Sequence, residues 1–103
     1  MDAVWKDTTS YSQNERGKVA PRTWSSDIGN VDIKIHRHIY YEPDIWLMSC
    51  NYLNISNHEL DSKDVDKAKE EALSIAKNMI EYRISEFQKQ LDFFERLLKD
   101  GSE

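Results

Sequence analysis

Between Pro43 and Gly101 the chain carries neither glycine nor proline. Nothing in that span encodes a sharp helix stop, so a single helix is predicted from Ser62 to Lys99. Ser62 is placed to cap its start, and Asp64 and Asp66 suit the positive end of the helix dipole. Lys99 falls in the last turn, and Gly101 can close the helix. At 1.5 Å per residue, about 38 residues span roughly 57 Å. A compact body built from the remaining residues would be only about 25–30 Å across. Roughly half of such a helix therefore has no body of its own to lie on.

The two halves of this helix differ in pattern. Val65, Ala68, Ala72, Leu73, Ala76, Met79 and Ile80 form a wide apolar face with the alanines down its middle. Small side chains at that spacing allow a sheet to approach closely. Further along, the stripe narrows to Ile80, Ile84, Phe87, Leu91, Phe94 and Leu98, at successive steps of 4, 3, 4, 3 and 4 residues. That is the seam of a helix pair, and it predicts a homodimer interface. The alternative is a monomer whose N-terminal arm folds back along the stripe. Phe93 and Leu97 fall to the side of the seam, where a further chain or the arm could meet them.

The chain of 103 residues fits one domain: an arm over 1–21, a sheet region over 22–61 and the long helix over 62–99. The arm is polar, and Val4, Trp5 and Tyr11 are its expected anchors. A first short strand is expected over Arg22–Ser26, followed by a turn at Gly29-Asn30. Val31 to Tyr41 then alternates with period two. Val31, Ile33, Ile35, Ile39 and Tyr41 share one face, which Arg37 interrupts; Asp32, Lys34, His36, His38 and Tyr40 share the other. Glu42-Pro43-Asp44 reads as a turn. Ile45 to Leu53 reads as a second strand, antiparallel to the first, with Trp46, Met48, Cys50 and Tyr52 on one face. Ser56 and Glu59 are spaced as a capping box for a single helical turn. The expected fold is α+β: a small antiparallel sheet of two to three strands packed on the first half of the helix, the second half pairing in a dimer.

Net charge is −5, and the halves share it unevenly: six basic residues against seven acidic in 1–50, eight against twelve in 51–103. An acidic total weighs against bulk electrostatic binding of nucleic acid, though it leaves room for a local basic patch. Cys50 is the single cysteine, so no intrachain disulfide can form. No apolar signal core opens the chain and no run has transmembrane length, so a cytoplasmic location without membrane attachment is expected.

The residues offer little catalytic chemistry. His36-x-His38 could supply two metal ligands from one strand face, with His58, Glu42 or Asp32 to complete a site; no spacing brings those three there. Cys50 lies in an apolar strand, as an inert core thiol does. Glu70 and Glu71 are read as exposed, without the burial that tunes a catalytic carboxyl. No glycine-rich phosphate loop is present. No cofactor is expected and the chain is not read as an enzyme. Lys34, His36, Arg37, His38 and Tyr40 are the candidate partner-binding residues. Basic groups mixed with an aromatic could also hold single-stranded nucleic acid, which makes a small nucleic-acid-binding regulator the alternative reading.

Trp5 to Gln13, Pro21-Arg22-Thr23-Trp24 and Asp44 to Cys50, followed by the alanine-rich helix, together resemble small accessory proteins of phages and prophages. The resemblance is one of general style over about residues 5–80 and transfers no site residue. It implies a non-enzymatic module that binds a host protein, such as an inhibitor of a defence protein.

Overall fold

The computed structural model describes residues 3–12, 17, 20–37 and 45–101. Five strands precede one helix: β1 (Lys6–Asp7), β2 (Thr23–Ile28), β3 (Val31–His36), β4 (Leu47–Cys50), β5 (Ile55–Glu59) and α1 (Val65–Gly101). The strands form a single antiparallel sheet in the order β1-β2-β3-β4-β5. The α+β class agrees with the sequence reading; the sheet has more strands than the two or three expected.

Local chemistry explains most of these boundaries. Gly29 and Asn30 form a two-residue loop that sets Ile28 opposite Val31. Gly29 has φ of +61°, as the first central position of a type II′ hairpin turn requires. The alternation over β3 is as read: Ile33 and Ile35 are buried while Asp32 and Lys34 face out. Residues 38–44, which include His38, Tyr40, Tyr41 and the expected turn, lie outside the described residues. The β3–β4 pairing is antiparallel, with Lys34 opposite Ser49 and Ile35 opposite Met48.

Two expectations need correction between Asn51 and Glu59. The strand does not run on to Leu53; Asn51–Asn54 form a turn, and Tyr52 is 55 % exposed rather than sharing the buried face of Trp46, Met48 and Cys50. Ser56 and Glu59 do not cap a helix, because their segment is β5, paired with β4 across an irregularity between Met48 and Cys50. Asn54 and Asn57, with φ of 57° and 50°, supply the left-handed residues that this tight return needs.

The arm is a further strand. β1 adds to the edge of β2, with Lys6 opposite Ser25 and Asp7 opposite Trp24. Trp5 packs against the core as expected, whereas Val4 is 72 % exposed and anchors nothing. The Lys69 ammonium lies 3.9 Å from the Trp24 ring centre and 5.9 Å from that of Trp5, tying arm, sheet and helix together.

Helix α1 starts at Val65, three residues later than Ser62. Asp64 is the cap: its side chain accepts the Lys67 N–H at 3.2 Å and its carbonyl accepts the Ala68 N–H at 2.8 Å. Ser62 instead bonds Glu71, which is half-buried and not on a solvated face as expected. Ala68, Ala72 and Ala76 are buried at 0 %, 0 % and 4 % exposure, and the core beneath them is built from Ile33, Ile35, Met48 and Cys50. The Arg83 guanidinium donates to the carbonyls of Tyr52 and Leu53 at 3.3 and 3.0 Å, close to where the body ends. The molecule extends 73 × 24 × 24 Å, so the second half of α1 projects well past the sheet.

Candidate functional site

The outer face of the sheet carries a polar cleft of about 500 Å³. Lys34, His36 and Ser49 come from neighbouring positions of β3 and β4, where cross-strand register puts Lys34 beside Ser49. Thr8, Thr9 and Ser10 of the arm line another side, with Arg22 and Thr23 next to them and Arg37 beyond. Among the described residues no carboxylate lines this cleft.

The arm is held in place by its hydroxyls. Thr9 Oγ1 accepts the N–H groups of Arg22 and Thr23 at 2.8 and 2.9 Å. The Thr8 N–H donates to the Thr23 carbonyl at 2.9 Å, and the hydroxyls of Thr8 and Ser25 lie 2.8 Å apart. Asp7 accepts the Thr9 N–H at 3.0 Å and the Tyr11 hydroxyl at 2.6 Å. The bond from Tyr11, then those from Thr9, hold the Asp7 carboxyl below its ordinary pKa, and the same carboxylate raises that of the Tyr11 hydroxyl. Arg22 Nη2 donates to the Ser10 carbonyl at 3.3 Å, and His36 Nε2 lies 3.4 Å from Ser49 Oγ. Lys34 and Arg22 thus meet several hydroxyls on one open cleft, a composition suited to a carboxylate or phosphate oxygen, while the Arg37 guanidinium turns to the other face of the sheet over Trp46.

The second surface is the projecting helix. Ile80 is half-buried, but Ile84, Phe87, Leu91, Phe94 and Leu98 are 62, 71, 50, 62 and 73 % exposed. The described part of the arm lies on the sheet edge as β1 and does not cover them. Phe93 and Leu97 are also exposed. Upstream the seam runs into an apolar groove of about 300 Å³ between the β2–β3 hairpin and the helix, lined by Ile28, Val31, Ile33, Leu73, Ala76 and Ile80. Lys77 and Glu81, 3.5 Å apart, stand at its rim.

Of the candidate partner-binding residues, the structure brings together Lys34, His36 and Arg37; His38 and Tyr40 lie outside the described residues. Arg37 also stacks over the Trp46 ring at 5.1 Å. Sequence reasoning missed Arg22, Ser49 and the threonines of the arm as members of the same cleft. The Thr8-Thr9-Ser10 cluster was visible, but the pairing of the arm with β2, which places it, was not. Among the described residues no three histidine, cysteine or carboxylate side chains are grouped to hold a metal ion, and no helix is long and apolar enough to cross a membrane. Comparison with family models, curated proteins and solved structures gives no match.

Proposed function

We propose that this protein is a non-enzymatic protein-binding module that works as a homodimer, pairing through the second half of α1 and offering the cleft around Lys34 to an acidic feature of a partner. One observation carries the reading: a continuous apolar seam of Ile84, Phe87, Leu91, Phe94 and Leu98 that the described residues of its own chain leave uncovered. An apolar stripe of that length on a soluble chain marks an association surface. The cleft gives the partner's side its chemistry, since Lys34 and Arg22 meet there without an acidic residue in the lining described. The resemblance to phage accessory proteins directs the proposal to a host protein, such as a defence protein that the module would inhibit.

The test is a native pull-down with the intact chain, run beside Lys34→Glu and Arg22→Glu. A stoichiometric host protein that is retained by the natural chain and lost from both variants supports the reading. Failure to retain any protein counts against it. The cleft also favours a second reading, a nucleic-acid-binding regulator in which the same cations meet backbone phosphates. Gel shifts over a salt series separate the two, because phosphate binding weakens steeply with salt and charge reversal at Lys34 would abolish it.

A further inference from the structure

The proposed dimer leaves the direction of pairing open, and the structure constrains it. Resting on that dimer reading, we infer that two copies pair antiparallel, with the tip of each α1 seated against the apolar groove of the other. The two-fold axis then passes beside residue 89. Ile80 meets the partner's Leu98, Ile84 meets the partner's Phe94, and Phe87 meets the partner's Leu91. Each phenylalanine thereby faces a smaller aliphatic side chain. Parallel pairing would instead stack Phe87 on Phe87 and Phe94 on Phe94.

Charge agrees with this direction. One heptad step before Ile84, the seam position is Lys77. In a parallel pair two Lys77 ammonium groups would face each other. In the antiparallel pair Lys77 faces the end of the partner's helix at Gly101, where the unpaired carbonyls carry the negative end of the dipole. A lysine at a single seam position is a known device for fixing alignment. One contact opposes the arrangement: Glu81 stands opposite the partner's Glu95, and the Lys77 ammonium, 3.5 Å from Glu81, offsets it.

The body also restricts the choice. Upstream of Ile80 the side of α1 that continues the seam is occupied by the β2–β3 hairpin, whose Ile28 and Val31 lie beside Leu73 and Ile80. A parallel partner would bring a second hairpin to the same height between the two helices. An antiparallel partner brings only its last helical turn, and Leu98 arrives where Ile28, 43 % exposed, borders the groove. Burying the seam side chains Ile84, Phe87, Leu91, Phe94 and Leu98 would contribute at most roughly 700 Å² per chain, below the ~800 Å² per partner of an ordinary stable interface, and the groove bordered by Ile28 supplies further area.

The experiment is pulsed spin-label distance measurement on the full chain labelled singly at Lys99→Cys and, separately, at Gln88→Cys, with the buried Cys50 changed to Ala in both. Antiparallel pairing puts the two labels at 99 roughly 30 Å or more apart and those at 88 within about 20 Å; parallel pairing gives under about 20 Å at both. A short distance at 99 overturns the direction while leaving the dimer intact. A monomeric mass in the same samples overturns the dimer reading itself. Two variants probe the contacts: Ile28→Asp, off the helix, should weaken dimerisation at least tenfold, and Glu95→Lys should tighten it several-fold. Thermal melts confirm that each variant is folded, and an unchanged dimer constant in folded protein for both variants would overturn the inference.

Discussion

Ser62 gives Glu71 two hydrogen bonds to one carboxylate oxygen, from its N–H at 2.9 Å and from its hydroxyl at 2.8 Å. The Asp61 N–H fills the other oxygen at 2.8 Å. This clasp locks the link between β5 and α1. Burial pushes the Glu71 carboxyl up, but the Asp61 and Ser62 bonds together outweigh it and leave its pKa below the usual 4.5. A depressed folded-state pKa means the carboxylate's contribution is complete above the unfolded value and is lost as pH falls through the folded one. Glu71→Gln should therefore cost about 1–3 kcal/mol near neutral pH. The gap between variant and natural chain should close in acid below the ordinary carboxylate range. Thermal melts from pH 7 down to pH 3 read both effects.

Ala72 has no exposed surface where it meets the sheet, and its neighbours along the helix face are two more buried alanines. The close approach of α1 leaves no room for a larger side chain. Ala72→Leu should destabilise the fold by roughly 1–3 kcal/mol through overpacking. Urea titration with an unchanged slope would identify the loss as one of stability.

The helix and this alanine stripe were legible because both are local: spacing alone sets which side chains share a face. The β3 alternation and the Gly29-Asn30 turn were legible for the same reason. The edge strands were not. β1 has two residues, Lys6 and Asp7, and exists only because β2 offers it an edge. β5 is Ile-Ser-Asn-His-Glu, with four exposed positions and no apolar alternation to announce it. The helix start moved because Ser62 had a stronger use than capping, in Glu71, ten residues of chain away from Asp61. The cleft was half legible for a related reason. Lys34 and His36 sit on one strand, whereas Thr9 and Arg22 reach it only through long-range pairing.

Lys69 holds the arm that forms one wall of that cleft. Its ammonium stacks on Trp24 and Trp5 and lies 4.0 Å from Asp66, a long contact to a solvent-exposed carboxylate and of small worth. Lys69→Ala should cost on the order of 1 kcal/mol, mostly through the lost ring contacts. The sensitive readout is hydrogen exchange at the Thr8 amide, which donates to the Thr23 carbonyl across the arm junction. Faster exchange there, with Ile33 and Ile35 amides unchanged, is the expected outcome.

Leu91 is half exposed in its own chain, so charging it removes little from the fold of one copy. In the proposed dimer it lies at the centre of the seam, and Leu91→Asp would bury an unpaired carboxylate. The expected result is a monomer by mass with the sheet and the first half of α1 intact. Beyond Arg83 the helix is then a projecting segment of about 18 residues with no packing of its own; it continues an already nucleated helix, so it frays from its free end rather than unfolding as a unit. Helical signal should consequently fall modestly with dilution in the natural chain and, at every concentration, be lower in the variant. Amides of 84–98 should exchange rapidly in Leu91→Asp while those of 65–80 keep their protection. Undiminished helicity and an unchanged mass in this variant would show that the seam pairs with nothing.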